Sequence, residues 1–464
     1  MPSYQRPKPP TIQRLPSAPR KQNRWQIDNP VRLVPVGFLV AVLLGAGLLM
    51  LPVARIGPSG ADPLTAVFTA VSAVCVTGLI TVDTATYWTP FGQLVILGLI
   101  QIGGFGIMTL GTLLALLVRR KLGLRGQLMA ATETRSLNLG DVRHVLLLVA
   151  KITICIELAV AVVLSVRFWA TGHDIPHAIY TGVFHAISAF NNAGFSTYSD
   201  SLMGFVDDPW IIIPICVAIV CGGLGFPVMI EFLRRNEDHR GWALHTRLTV
   251  WGTAIMLALG FLALASFEWN RSETLGHLSP GGKILGALGL TVFPRTAGFN
   301  SIDYADASSE SLLVTDMLMF IGGGSAGTAG GIKVTTFLVL AFALWSQIRG
   351  HEQVTLGNRA IGESVQRQAL SVVLLGIGAV LAGMIVLLRV TSHTVEEVLF
   401  ECVSAFATVG LSMGITGDLP PAGQWVIILL MFGGRVGMVT VATALALRSK
   451  MLMYRLPEER PIIG

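Results

Sequence analysis

The chain has 464 residues, of which 52% are hydrophobic and only 13% are charged, with a formal net charge of +6 at pH 7. A soluble domain carries about 25% charged residues, so this composition argues against a soluble enzyme or binding module and indicates a chain within a bilayer. Most of the Lys and Arg residues lie outside the apolar segments. That distribution explains the basic charge without a nucleic-acid partner.

Residues 1–32 are rich in Pro, Arg, Lys and Gln, and they are predicted to form a disordered cytosolic arm. Eight later segments are apolar and long enough to cross a membrane, which takes about 20 residues each. The basic segments fall on one side of these spans, and the positive-inside rule places that side, with both termini, in the cytosol. The predicted spans are 33–53, 91–118, 145–170, 210–233, 248–267, 311–346, 370–390 and 424–447.

A short Ser/Ala-rich pattern that ends in Gly-Leu or Gly-Phe occurs four times, and a pair of glycines in an apolar segment follows each copy at a similar distance. Such repetition predicts an all-α integral membrane protein with four helix–pore-loop–helix repeats around one central cation pore. The repeats are predicted at 33–118, 144–234, 245–348 and 367–447, with a cytosolic loop at 119–143 and a C-terminal tail at 448–464.

The residues that end at each repeated glycine are the candidate selectivity filter. Non-helical backbone at membrane depth is tolerated where it lines a water-filled cavity, and glycine lets carbonyl oxygens turn inward. Rings of carbonyls can replace the water shell of a monovalent cation, while short pore helices aim their negative dipole ends at it. The candidate K⁺-binding strips are Val76-Thr77-Gly78, Asn192-Ala193-Gly194, Thr296-Ala297-Gly298 and Thr408-Val409-Gly410.

The glycine pairs have a plainer explanation than the strips, because small residues let membrane helices pack closely. The third pair, however, begins the stretch GGGSAGTAGG at 322–331. Each glycine weakens a helix by about 1 kcal/mol relative to alanine, so a flexible loop at membrane depth is predicted there. A phosphate-binding P-loop is an alternative, but Lys333 follows Ile332 rather than glycine. A simple helix kink is the other alternative.

Two basic residues within the predicted membrane spans complete the candidate gate. Arg435 lies in an apolar span, where a charge is costly and usually functional. We expect it to pair with carbonyls of the loop and raise the barrier to cations, or to be satisfied by a structural carboxylate. Lys333 is expected to anchor the loop or to extend to the interface. The candidate gate residues are Gly322, Gly323, Gly324, Ser325, Gly327, Gly330, Gly331, Lys333 and Arg435.

Arg295 precedes the third strip and is expected to hold that pore loop through carbonyls or through carboxylates, with Asp303 and Glu401 as candidate partners. Histidines near the second pore loop lack an HExxH pattern or a third carboxylate. They are therefore expected to be surface histidines rather than metal ligands. The three are His173, His177 and His185.

The segments FNNAGFS, FPRTAGFNSID, ATVGLS and GGGSAGTAGGIKVTT together resemble the Ktr/Trk/HKT potassium transporter superfamily. The resemblance covers about 33–464 and is closest to KtrB-type membrane subunits of bacterial Ktr systems. In such proteins a glycine at all four filter positions goes with K⁺ selectivity, and loop 322–331 corresponds to an intramembrane gate. One departure is Val292, where the other repeats have Ser72, Ser188 and Ser404.

The resemblance implies K⁺ uptake across the bacterial plasma membrane by a homodimer with one pore in each subunit. It also implies a cytosolic ring of KtrA-type nucleotide-binding subunits and contact with membrane lipids. K⁺ is then the substrate, Na⁺ dependence is left open, and no organic cofactor is expected in this chain.

Two other functions compete with this interpretation. A secondary transporter of a small solute also uses broken helices near the midplane, although such folds usually have inverted halves and these repeats run in one direction. A membrane enzyme is the third hypothesis, but the sequence offers no nucleophile–base set, metal signature or nucleotide motif.

Overall fold

The computed structural model describes residues 30–121, 142–234, 242–351, 353–356 and 359–437. They form four successive units, each with an outer helix, a pore helix, an extended strip and an inner helix, which confirms the predicted all-α class. Most of the predicted arm 1–32 and loop 119–143, the end of the fourth repeat from 438, and the whole tail 448–464 lie outside the described residues.

The outer and pore helices alternate along the chain. Proline in the first turn of each pore helix but the fourth suits a helix start, because the missing amide hydrogen has no helical acceptor there. The fourth pore helix begins instead with a capping box between Thr394 and Glu397. Outer helices 1 to 4 are Pro30–Leu49, Val142–Ala170, Leu244–Glu268 and Glu363–Val390. Pore helices 1 to 4 are Pro63–Val74, Ile175–Phe190, Pro280–Val292 and Val395–Ala407.

The inner helices differ from one another more than the outer helices do. Inner helix 1 is continuous over Pro90–Lys121. Inner helix 2 consists of Pro209–Leu224 and Phe226–Arg234, and inner helix 3 of Ser309–Phe320 and Val334–Ile348. Inner helix 4 is Pro421–Phe432, followed by a π-helical turn at Gly433–Gly437.

Short elements lie between the helices. A one-turn helix, Thr84–Tyr87, follows the first strip. The strands Thr355–Leu356 and Arg359–Ala360 pair antiparallel between repeats 3 and 4. The described part of the chain also has 3₁₀ turns at Pro52–Ala54, Met203–Phe205, Tyr304–Asp306 and Ile415–Asp418.

Four of the described helices are long and apolar enough to cross a membrane as single segments: Pro90–Thr109, Leu146–Ala170, Leu244–Glu268 and Glu363–Val390. Inner helix 2 gives a fifth span if its two halves, which are bent by 101°, count together. The sequence predicted one span over 210–233, and the structure divides it into two halves at Gly225, which adopts a φ of +90°. The remaining predicted spans include the broken inner helix 3 and helices that are shorter within the described residues.

The repeated glycine pairs bring the inner helices close to the pore helices. Three of these pairs are Gly103-Gly104, Gly222-Gly223 and Gly433-Gly434. A Cβ at Gly103 would overlap the carbonyl oxygen of Val74, and one at Gly434 would overlap that of Phe406. Gly222 meets the carbonyl oxygen of Phe190 in the same way. Three of the glycine pairs therefore permit the close packing that the plainer explanation predicts, and this packing fixes the pore helices around the strips.

Candidate cation pathway and gate

The four candidate filter glycines form a closed ring. A Cβ added to Gly78 would overlap Ala193 O beside Gly194. In the same way, a Cβ on Gly194 would overlap the backbone at Gly298, and one on Gly298 would overlap the backbone beside Gly410. A Cβ on Gly410 would overlap Thr77 O beside Gly78, which closes the ring. The structure thus brings all four strips together in the order of the repeats, with no room for side chains at the glycines.

The backbone of each strip alternates in handedness. The glycines have φ values of +96°, +71°, +70° and +100°, and the residues two positions earlier have φ values of +55°, +60°, +66° and +50°. The earlier residues are Val76, Asn192, Thr296 and Thr408. A non-glycine residue with positive φ is uncommon and strained. With this alternating backbone, carbonyl oxygens of the strips are able to line one pathway, as in a cation filter.

Serine hydroxyls hold two of the filter glycines. The Gly78 amide donates to Ser72 Oγ at 3.0 Å, and the Gly410 amide donates to Ser404 Oγ at 3.1 Å. In the third repeat, where Val292 replaces the serine, the Gly298 amide donates to the Phe293 carbonyl at 3.2 Å. The third strip therefore keeps its glycine amide bonded despite the departure from the pattern.

Ser188 in the second repeat acts differently, since its hydroxyl donates to the Phe195 carbonyl at 2.8 Å, just beyond the filter glycine. Two hydroxyls within the strips themselves, Thr77 Oγ1 and Thr408 Oγ1, are buried without a hydrogen-bond partner among the described residues. Buried polar groups normally have a partner. These two oxygens therefore suit a cation or its water.

The loop at 322–331, called the gate loop below, lies at the pore-helix end of the strips. Thr328 Oγ1 donates to Asn192 Oδ1 at 2.8 Å, and the Gly330 amide donates to Thr296 Oγ1 at 3.3 Å. A Cβ at Gly330 would overlap Thr408 Oγ1. The gate loop thus contacts the first residue of the second, third and fourth strips.

The ends of the gate loop are closed by backbone hydrogen bonds. The Gly322 amide donates to Ile332 O at 2.9 Å, and the Val334 amide donates to Gly323 O at 3.0 Å. Lys333 Nζ donates to Ala329 O at 2.5 Å. Of the two positions considered for this lysine, the structure therefore places it against the loop rather than extended to the interface.

Inner helix 2 bends where the gate loop packs against it. The Gly324 amide donates to Gly223 O at 2.7 Å, and the Thr328 amide donates to Gly222 O at 3.1 Å. These carbonyls are among the last of the helix, which lack helical partners. A Cβ at Gly225 would also approach Ser325 O. The bend and the gate loop therefore depend on each other.

Arg435 reaches the gate loop from inner helix 4. It is 2% exposed, and its Nη1 donates to the carbonyl of Thr328. Its Nε and Nη2 atoms are buried without a partner among the described residues. A carbonyl of the loop, rather than a structural carboxylate, is thus the partner that the structure shows.

Arg295 also contacts backbone carbonyls, but not in the pore loop that it was expected to hold. Its Nη1 donates to Ile321 O and its Nη2 to Gly322 O, both at 2.8 Å. The carboxylates of Asp303 and Glu401 were wrong candidates, because the first caps the Ala305 amide and the second accepts from hydroxyls of the fourth pore loop. Arg295 ties the start of the third strip to the base of the gate loop.

The expectation of surface histidines holds only in part. His185 is fully buried, with Nε2 3.0 Å from Ser196 Oγ and Nδ1 2.8 Å from Thr181 O. For this residue the expectation is wrong, because its ring lies among aromatic side chains. His177 is exposed, as expected, and stacks on His173. The described residues include no group of three or more metal-ligating side chains.

Comparisons with known proteins agree with this architecture. Residues 43–454 match the family model TrkH, described as cation transport protein. The chain is 37% identical to Ktr system potassium uptake protein B of Bacillus subtilis (strain 168), over 95% of this chain and 98% of the relative. It is 34% identical to potassium/sodium uptake protein NtpJ of Enterococcus hirae, over 94% of this chain and 97% of the relative.

Among solved structures, the crystal structure of the potassium transporter TrkH from Vibrio parahaemolyticus matches with a TM-score of 0.69. The match covers 90% of this chain and 86% of that chain, at 20% sequence identity. At this identity the likeness shows the fold alone.

Proposed function

The chain belongs to the TrkH family of cation transport proteins, and from this membership we propose that it takes up K⁺ through the ring of four strips. Relatives that match nearly its whole length are named potassium uptake proteins. The chain is accordingly a transport protein and not an enzyme.

The observation that carries the proposal is the closed ring of Gly78, Gly194, Gly298 and Gly410. Each strip has a backbone that alternates between positive and negative φ, and none of the strips has an acidic side chain. Selectivity then rests on carbonyl oxygens that replace the hydration shell of K⁺.

The gate loop controls passage in this proposal. It lies against three strips at the pore-helix end, and Arg435 adds a fixed positive charge that touches it. A cation that leaves the filter on this side meets both the loop and the guanidinium, so the arrangement described here corresponds to a closed pathway. Gating requires the loop to move away from the strips.

The wider assembly follows from the resemblance. We place the protein in a bacterial plasma membrane with both termini in the cytosol, so that the strips lead inward from the outer surface. The protein is proposed to form a homodimer in membrane lipids. A cytosolic ring of KtrA-type nucleotide-binding subunits binds this homodimer and opens the gate loop. A role for Na⁺ is also proposed, since the relative NtpJ is named a potassium/sodium uptake protein.

Uptake of K⁺ into liposomes that contain the purified full chain tests the proposal. K⁺ flux that exceeds Na⁺ flux, and that rises when a KtrA-type partner and nucleotide are added, is the expected result. Saturable flux of an organic solute without cation flux would contradict the proposal and favour a solute transporter.

A further inference from the structure

A carboxyl group lies near the middle of outer helix 2, on the side that faces the protein. Glu157 is only 7% exposed and belongs to the apolar span Leu146–Ala170. None of the ion pairs found among the described residues includes it. An ionisable residue within a membrane is expensive and indicates a functional role by default.

Two amide side chains surround this carboxyl group. Asn191 Nδ2 donates to Glu157 Oε1 at 3.0 Å, and Gln101 Nε2 donates to Glu157 Oε2 at 3.2 Å. Asn191 Nδ2 also donates to Gln101 Oε1 at 2.8 Å. The three side chains form a closed cluster that joins inner helix 1, outer helix 2 and the end of pore helix 2.

This cluster is directly connected to the second strip. Asn191 is the C-cap of pore helix 2 and is followed at once by Asn192, which has a strained φ of +60° and accepts the hydrogen bond from Thr328 of the gate loop. A rotation of Asn191 would therefore move both the second strip and its contact with the gate loop.

Inner helix 1 leaves Asn191 little freedom. A Cβ at Gly104 would overlap Asn191 Oδ1, so the amide oxygen already lies against the helix backbone. That oxygen has no hydrogen-bond partner among the described residues. The orientation of Asn191 is thus determined on the opposite side, by three acceptors of its Nδ2 group: Glu157 Oε1, Gln101 Oε1 and, at 2.9 Å, the carbonyl oxygen of Ile187 one turn earlier in pore helix 2.

We propose that Glu157 is a positioning residue that determines ion specificity: with Gln101 it fixes Asn191, and thereby the geometry of the second strip. This inference rests on the proposed K⁺ uptake through the filter. The other repeats have no amide side chain at the position of Asn191, where the residues are Cys75, Arg295 and Ala407. Among the residues that the structure describes, the second strip is the only one held by a carboxyl group of an outer helix.

Glu157→Gln is the informative change because it conserves size. A carboxylate offers two acceptor oxygens, whereas the glutamine amide offers one oxygen and an NH₂ group. That NH₂ group would face the donor of Asn191 or of Gln101, so one hydrogen bond is lost. We expect the K⁺/Na⁺ selectivity ratio to fall about tenfold or more, the factor that corresponds to one hydrogen bond to a charged group, with a smaller change in maximal K⁺ flux.

Glu268→Gln is the matched control. Glu268 is also a buried glutamate of an outer helix, but it accepts hydrogen bonds from Thr274 and Ser308 in the loops beyond the end of outer helix 3. We expect this variant to keep the wild-type selectivity ratio even if its stability falls, because Glu268 has no hydrogen bond to a strip.

Competition between K⁺ and Na⁺ in liposome flux, with the purified full chain, tests the inference. A folded Glu157→Gln variant with wild-type selectivity would overturn it, as would an equal loss of selectivity in Glu268→Gln. A wild-type chain without K⁺ flux would instead refute the proposed function. If Glu157→Gln fails to fold, Gln101→Leu removes one donor of the same cluster, and unchanged selectivity in that variant would equally overturn the inference.

Discussion

Arg435 and Thr328 are joined by a hydrogen bond from the guanidinium Nη1 to the backbone carbonyl of the gate loop. The arginine side chain is buried in the π-helical turn that follows inner helix 4. Because arginine stays ionised, the contact gives the gate loop both a tether and a fixed positive charge beside the pathway.

Replacement of Arg435 by alanine is expected to raise K⁺ flux. A hydrogen bond to a charged group contributes about 1.5–3 kcal/mol, so its loss favours the open position of the gate loop by about tenfold or more. Initial K⁺ uptake into liposomes measures the effect. Arg367→Ala is the control, since the Arg367 side chain is 77% exposed. Unchanged flux in a folded Arg435→Ala variant would contradict the role given to this residue.

Replacement of Arg295 is expected to affect stability more than flux. Arg295 donates in parallel to Ile321 O and Gly322 O, and a lysine cannot reproduce that fork. A buried carbonyl left without its donor costs about 1–3 kcal/mol, so Arg295→Lys should lower the midpoint of thermal unfolding in detergent. The exposed Arg389 supplies the control Arg389→Lys. Equal midpoints for the two variants would show that the fork adds no stability.

Removal of the serine hydroxyls is expected to weaken selectivity modestly. Ser72→Ala and Ser404→Ala each delete a hydrogen bond to a filter glycine amide. One neutral hydrogen bond contributes about 0.5–1.5 kcal/mol, so the K⁺/Na⁺ ratio should fall by roughly two- to tenfold in each variant. Ser266→Ala, at an exposed position with a local hydrogen bond only, should leave the ratio unchanged. If all three variants match wild type, the hydroxyls do not hold the strips.

Two glycines of inner helix 1 should respond oppositely to alanine. A Cβ at Gly103 would overlap the Val74 carbonyl, whereas no heavy atom lies within 4 Å of a Cβ at Gly98. Overpacking costs about 1–3 kcal/mol, so Gly103→Ala should lower the unfolding midpoint. Gly98→Ala should hold or raise it, because alanine stabilises a helix by about 0.5–1 kcal/mol over glycine. A midpoint for Gly103→Ala at or above that of Gly98→Ala would contradict the close packing.

The strips and the gate loop could be located from the sequence because both leave a local signature. Gly78 and its three counterparts recur in one pattern, and 322–331 has too many glycines for a helix. The partners of Arg295 could not be found in this way, since backbone carbonyls at Ile321 and Gly322 carry no side-chain signal. The fourfold ring itself was expected, but the order of its contacts appears only in three dimensions.

Other features were missed although a signal was present. Gly225 is followed closely by Pro227, a combination that disfavours a continuous helix. Because residues 210–233 are almost entirely apolar, the sequence was interpreted as one span and the break at Gly225 was overlooked. Glu157 was overlooked for the same reason, because it is a single acidic residue in a mostly apolar span. Its partners Gln101 and Asn191 lie on other helices, so the cluster appears only when the helices pack.

The most direct test compares K⁺ and Na⁺ flux into liposomes for the wild type and for Gly78→Ser. Gly78 has a φ of +96°, and a Cβ there would overlap the Ala193 carbonyl of the adjacent strip. The serine should therefore distort the ring of carbonyls. We expect wild-type flux to favour K⁺ and the variant to lose much of that preference while it still conducts. Wild-type protein without cation flux, even with a KtrA-type partner and nucleotides, or a folded variant with undiminished K⁺ preference, would contradict the filter.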